Sequence, residues 1–207
     1  RIVAVAAGGS LLAHSMDAVP MPASYEFTEP LALKSIEMVF RWLPRAYREG
    51  RDHEARHRML LASSIAGVAF GMSGCHLTHA FGHSLGAVFE LHHGMTVGFF
   101  IPQSLQYCSP VTDRYLAICD ALKVGGDEPE EQLANLVAKV RSLLTELGVP
   151  LTIKGLGVSE QDFEANMDKL VEYAVGDISC FLSPRPVTKA QCEKIFRCAY
   201  EGKDIDF

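Results

Sequence analysis

The sequence predicts an all-α domain, and three observations carry the prediction. Apolar residues recur at three- and four-residue spacing through nearly every periodic segment, alternating strand patterns are almost absent, and helix-start and helix-stop residues bound the periodic runs. With 207 residues, 48% hydrophobic and 21% charged, the chain is long enough for one well-buried core or two small ones. Residues 1–207 read as a single helical domain without internal repeats or low-complexity linkers.

Taken in order, Thr28 is expected to cap a helix running through Lys34 to Trp42, because its hydroxyl satisfies a free amide, and Pro44 is expected to break that helix. Residues 51–72 read as a long amphipathic helix, with His53 and His57 on its solvated charged face. Residues 93–108 are apolar enough for a buried helix. Ser109-Pro110 then supplies a cap and a first-turn proline for a helix reaching Lys123, stopped by Gly125-Gly126. Residues 128–147 repeat apolar positions at Leu133, Leu136, Val137, Val140, Leu143 and Leu144, and Gly148-Val149-Pro150 ends them. Ser159 with Asp162 forms a loose capping box and Thr188 with Gln191 a better one. Leu151-Thr152-Ile153 is the one short strand candidate.

Composition narrows the function. A net charge of −6 without a basic cluster argues against nucleic acid or an anionic membrane as partner. Six cysteines without a Cys-x-x-Cys pair read as small, mostly buried hydrophobes in a reducing cytoplasm, so a cytoplasmic protein is expected. The uncharged run 2–16 is interrupted by Gly8, Gly9, Ser10 and His14 and is too short to span a bilayer. It lacks a signal peptide's cleavage pattern, although Arg1 is not a natural start.

The chemistry concentrates in residues 74–94, Gly-Cys-His-Leu-Thr-His-Ala-Phe-Gly-His-Ser-Leu-Gly-Ala-Val-Phe-Glu-Leu-His-His-Gly, which holds five of the eight histidines. Imidazole is the commonest protein metal ligand and is neutral near pH 7. His79 and His83, four apart, share a helix face, and His93 sits in a turn able to swing back toward them. A pair at this spacing is more often structural than ligating.

This stretch resembles the second signature of the iron-containing (group III) alcohol dehydrogenase family, His-x-x-x-His-x-x-Gly followed by a His-Gly turn. Further landmarks occur in family order: Ala32 to Glu37, Leu43-Pro44, Ala66 to Phe70, Ile101-Pro102 and Ser183 to Thr188. The resemblance covers essentially the whole chain. It implies the multi-helix C-terminal domain of the dehydroquinate synthase-like fold, lacking the N-terminal α/β nucleotide domain.

It further implies His14, His79 and His93 as ligands of a divalent metal, iron or zinc. Gly8-Gly9-Ser10 falls at the start of the family's metal helix, and Ser10 takes the position of its ligand aspartate. A neutral hydroxyl is a weak ligand, so weak or absent metal is expected, although three imidazoles and an open position suffice for zinc. By the same resemblance, His83 is the catalytic and cofactor-binding histidine, relaying a proton beside the nicotinamide, and Phe70 lines the substrate pocket. His92 and His76 receive no role. Small residues around Gly82, His83 and Gly86 would let a nicotinamide approach.

NAD(P) is expected only with a partner domain or chain, the substrate is a small alcohol or aldehyde, and a homo-oligomer is open. The expected function is the catalytic metal-binding domain of an NAD(P)-dependent alcohol dehydrogenase or aldehyde reductase, inactive alone. The rivals are a pseudoenzyme or assembly subunit that has lost the carboxylate, and a plain metal-binding or interaction domain.

Overall fold

A computed structural model describes residues 2–207. Among them are twelve α-helices and no strand: α1 Ile2–Ala18, α2 Thr28–Arg48, α3 His53–Ser73, α4 Leu77–Phe89, α5 His93–Phe99, α6 Ile101–Cys108, α7 Tyr115–Leu122, α8 Pro129–Glu146, α9 Glu160–Ala165, α10 Met167–Gly176, α11 Ile178–Phe181 and α12 Lys189–Glu201. The all-α class is therefore observed. One cluster of buried apolar side chains extends from Val5 to Ile205. No single helix among the described residues is long and apolar enough to cross a membrane.

Helix α1 packs against α2, α3, α4 and α5, and its small residues explain how. A Cβ on Gly9 would lie 2.3 Å from the Gly94 carbonyl oxygen, and one on Gly98 would lie 3.0 Å from the Gly9 Cα, so α1 and α5 touch backbone to backbone. Glycine in a helix interior costs about 1 kcal/mol relative to alanine, offset here by that close approach. The start of the metal helix is thus misplaced in the sequence reading: Gly8, Gly9 and Ser10 lie inside α1, more than a turn beyond Ile2.

Helices α2 and α3 approach through small side chains as well. Ser15 of α1 lies 2.9 Å from Ser35 Oγ, whose hydroxyl donates to the Ala62 carbonyl at 3.1 Å, joining three helices in a dry interface. The buried stripe of α3 is Ala55, Ala62, Ala66, Ala69 and Ser73, whereas Leu60, Leu61, Val68 and Met72 face outward. Met59, Ile65 and Phe70 pack partly buried against the core, so apolar residues occupy both faces of α3.

Several boundaries differ for local reasons. Pro44 does not break α2, which continues to Arg48 and buries Trp42, Leu43 and Ala46 on its inner face. Thr28 begins that helix without capping it, its Oγ1 instead accepting from the Tyr25 amide at 3.1 Å. The expected helix 93–108 divides at Phe100, because Pro102, at the start of α6, has no amide to continue the ladder. Ser109–Val111 forms only a 3-10 turn, and α7 starts later, at Tyr115. Leu151 to Ile153 is turn and not strand, with the Ile153 amide donating to the Ala199 carbonyl at 3.0 Å. The two capping sites are present, Ser159 accepting from the Asp162 amide and Thr188 and Gln191 forming a reciprocal box.

Between α3 and α4 the chain bends by 105°. Gly74 makes the corner at φ +94°, a backbone region that favours glycine, and a Cβ there would also meet Met21 Cε at 2.9 Å. Beyond the corner, α4 is fastened to α1 by Asp17. This carboxylate is 1% exposed and accepts from the His76 amide at 3.0 Å, from His79 Nδ1 at 2.8 Å and from the Thr78 hydroxyl. It sits at the amino end of α4, where the helix dipole favours negative charge. Burial alone would raise its pKa, but attraction to His76 and the hydrogen bonds from His79 and Thr78 outweigh burial and hold it at about 2.

Two stability predictions follow from these contacts. Gly9→Ala forces a methyl into the Gly94 carbonyl and should destabilise by about 3 kcal/mol in urea unfolding, whereas Gly67→Ala, with nothing within 4 Å, should stabilise by about 0.5–1 kcal/mol. Asp17→Asn turns an amide toward buried donors and should cost about 2–4 kcal/mol in the same measurement. An unchanged midpoint for Asp17→Asn would mean that the carboxylate does not fasten α4.

Candidate metal centre

The site is assembled where α1, the α3–α4 corner, α4 and the start of α5 meet. His14 and Ser10 lie one turn apart on α1, and His14 Nδ1 lies 2.7 Å from the Ser10 carbonyl, to which it donates. That leaves Nε2 of His14 for the site. His79 is held in the same sense by Asp17, whose carboxylate accepts a hydrogen bond from its Nδ1 at 2.8 Å. Its Nε2 is buried and has no hydrogen-bond partner, and the residue is only 3% exposed. A buried imidazole nitrogen without a partner is costly unless a ligand completes it, so the residues present fit a bound cation.

The His14 ring lies 4.4 Å from that of His79, centre to centre, and 4.0 Å from Phe70, which covers it on the other side. The His93 ring is 5.9 Å from His79 and 5.2 Å from His83, and His93 Nε2 is 3.4 Å from Ser10 Oγ. Ser10 Oγ is also 3.4 Å from His14 Nδ1. The structure thus brings Ser10, His14, Phe70, His79 and His93 around one point, with His93 at the solvent-facing edge. The tightest group is His14, Cys75 and His79, each offering one donor atom within 4.8 Å of the other two.

Burial and neighbouring imidazoles favour the neutral form of two of these rings. Burial and then repulsion from His79 lower the His14 pKa to about 4, outweighing the Ser10 carbonyl and Asp17, which raise it. Burial likewise lowers His93, with His83 and His79 adding to it. Neutral imidazole is the ligating form. Burial pushes the Cys75 thiol up, and Asp17 and Asp177 push in the same direction.

His83 stands at the exposed rim, its Nδ1 2.7 Å from Asp177 Oδ2. Burial raises the Asp177 carboxyl, but hydrogen bonds from His83 and Ser179 prevail and its pKa is lowered. The small residues near His83 do not form an open face for a nicotinamide. A Cβ on Gly82 would lie 2.5 Å from Val97 Cγ1, and one on Gly86 would lie 3.2 Å from the Leu91 carbonyl, so α5 and its loop already fill that space.

Sequence reasoning missed three residues here. Asp17 had a signal, as the one charged residue in 2–25. Cys75, read as a small hydrophobe, is only partly buried and faces two histidines, and Asp177, 94 residues from His83, had none. His76 is fully buried, with Nε2 3.2 Å from Asp17 and its ring near Tyr115 and Ser104. His92 caps α5, its Nδ1 accepting from the Gly94 amide at 3.2 Å. His53 and His57 are exposed on α3.

The fold agrees with that of similar proteins. The sequence model described as Fe-containing alcohol dehydrogenase family, C-terminal, matches residues 4–200. The chain is 34% identical over 201 residues to the NADPH-dependent butanol dehydrogenase of Clostridium saccharobutylicum, across 97% of this chain and 51% of that protein. It is 31% identical over 199 residues to alcohol dehydrogenase 4 of Saccharomyces cerevisiae strain S288c, across 95% of this chain and 50% of that one. Among solved structures, an iron-containing alcohol dehydrogenase from Thermococcus thioreducens superposes with a TM-score of 0.86 at 27% identity, across 98% of this chain and 51% of that one. A 1,3-propanediol oxidoreductase superposes with a TM-score of 0.88 at 25% identity, across 95% and 51%. The chain spans about half the length of these relatives. It belongs to the iron-containing alcohol dehydrogenase family and matches that family's helical C-terminal domain.

Proposed function

We propose that this chain is the metal-binding half of an NAD(P)-dependent alcohol dehydrogenase or aldehyde reductase, acting on a small alcohol or aldehyde. The observation that carries the reading is His79 Nε2, buried and without a partner beside His14 in a chain of this family. His14, His79 and His93 are the residues that would hold the ion, with Ser10 at the position of the family's carboxylate. The chemistry such an ion supplies is polarisation of the substrate oxygen, which lowers an alcohol's pKa toward neutrality.

The chain's own residues prepare the rest. Asp17 fixes the tautomer and aim of His79, and the Ser10 carbonyl does the same for His14. Phe70 packs on His14 and keeps water from that side, in keeping with a substrate-pocket wall. At the rim, Asp177 holds the Nδ1 proton of His83, leaving Nε2 to accept or give a proton toward solvent.

The described residues include no strand followed by a glycine-rich turn and helix, the arrangement that cradles a dinucleotide pyrophosphate. The cofactor therefore falls to a second half, in a longer protein or a separate chain. Exposed apolar residues support such a partner: Ile178 is 71% and Phe181 76% exposed beside Asp177, and Leu60 is 70% exposed on α3. Ser10 in place of the carboxylate favours the alternative of a pseudoenzyme or assembly subunit that has lost its metal chemistry.

Two experiments separate these readings. Ser10→Asp should tighten zinc or iron(II) binding about tenfold or more by calorimetry, equivalent to about 1.4 kcal/mol or more. No gain would remove Ser10 from the ligand position. A fusion of this chain to the nucleotide-binding half of the butanol dehydrogenase relative, with metal supplied, should reduce butanal with NADPH, while this chain alone should not. A folded, metal-loaded but inactive fusion would favour the pseudoenzyme, and robust turnover by the chain alone would overturn the proposal.

A further inference from the structure

We propose that Cys75 is a further, thiolate ligand of this metal centre and supplies the negative charge that Ser10 lacks, joining His14 and His79, with His93 at the edge, in a donor set suited to zinc more than to iron(II). The inference rests on the metal-binding reading above and specifies the ligands of that site. Three observations carry it. Cys75, His14 and His79 each offer a donor atom within 4.8 Å of the other two, the closest such group among the described residues. His79 Nε2 is buried and has no hydrogen-bond partner, so the group contains a nitrogen awaiting a ligand. Ser10 brings no charge to the site: its neutral Oγ lies 3.4 Å from both His14 Nδ1 and His93 Nε2.

Local backbone places the thiol. The Gly74 corner, at φ +94°, turns the chain by 105° into α4, and Cys75 is the first residue after it. A tetrahedral zinc site needs donor separations of about 3.3–3.6 Å, from bonds of about 2.0–2.1 Å to nitrogen and 2.3 Å to sulfur. Side-chain rotation by the partly buried His14 and Cys75 closes the remaining ångström or so.

Charge argues the same way. Two or three imidazoles leave a divalent ion with its full double charge in a half-buried site, and a thiolate halves it. On binding, the Cys75 S–H bond breaks, its proton passes to solvent and an S–metal bond forms, with no change of oxidation state. Thiolate is a soft donor that favours zinc, whereas the family's carboxylate position is hard.

Cobalt(II) titration of the full chain tests the assignment, because thiolate ligation produces an intense near-ultraviolet charge-transfer band that imidazole and hydroxyl do not. The wild-type chain should bind one cobalt with that band. Cys75→Ser should keep its circular dichroism spectrum, lose the band and bind zinc about tenfold or more weakly. Cobalt bound without the band, or a band that persists in Cys75→Ser, overturns Cys75 as a ligand and leaves the histidine site standing. No cobalt or zinc bound by the wild-type chain overturns both the ligand and the metal-binding reading.

Discussion

The site depends on one buried carboxylate. Asp17 accepts from a backbone amide, a hydroxyl and an imidazole of residues 76–79, and so ties the last turn of α1 to the first turn of α4. A carboxylate taken wholly out of water is tolerated only when donors replace its hydration, and here protein groups supply three. The same bonds settle which nitrogen of His79 carries a proton and which faces His14. Structure and prospective chemistry share one anchor, because removing the anchor frees the ring.

Close backbone approach is the second constraint. Gly9 against Gly94 and Gly98, and Gly82 against Val97, pull α5 onto α1 and α4, which carries His93 within reach of Ser10. A larger residue at these points would push α5 outward and open the cluster. Glycines that resemble a cofactor cradle in one dimension are packing residues in three.

Leu60, Ile178 and Phe181 expose apolar area on the outer surface, and the chain spans about half the length of its relatives. Asp177, which holds His83 Nδ1 at 2.7 Å, directly precedes Ile178, so the His83 rim adjoins exposed apolar surface.

By itself, the sequence determined the helical class, the family and the cluster of histidines on α1, α4 and α5. These are local properties: apolar period, capping residues and short-range spacing within one or two turns. Tertiary structure alone decided that His79 Nδ1 is taken by Asp17, that Cys75 faces the cluster, and that Asp177 partners His83 from 94 residues away. It also decided that Pro44 stays within α2 and that Gly82 is filled by Val97, since burial against neighbouring helices overrode local preference. Ligand geometry depends on angles between helices, set by contacts far apart in the chain, and no periodicity within a single segment encodes them.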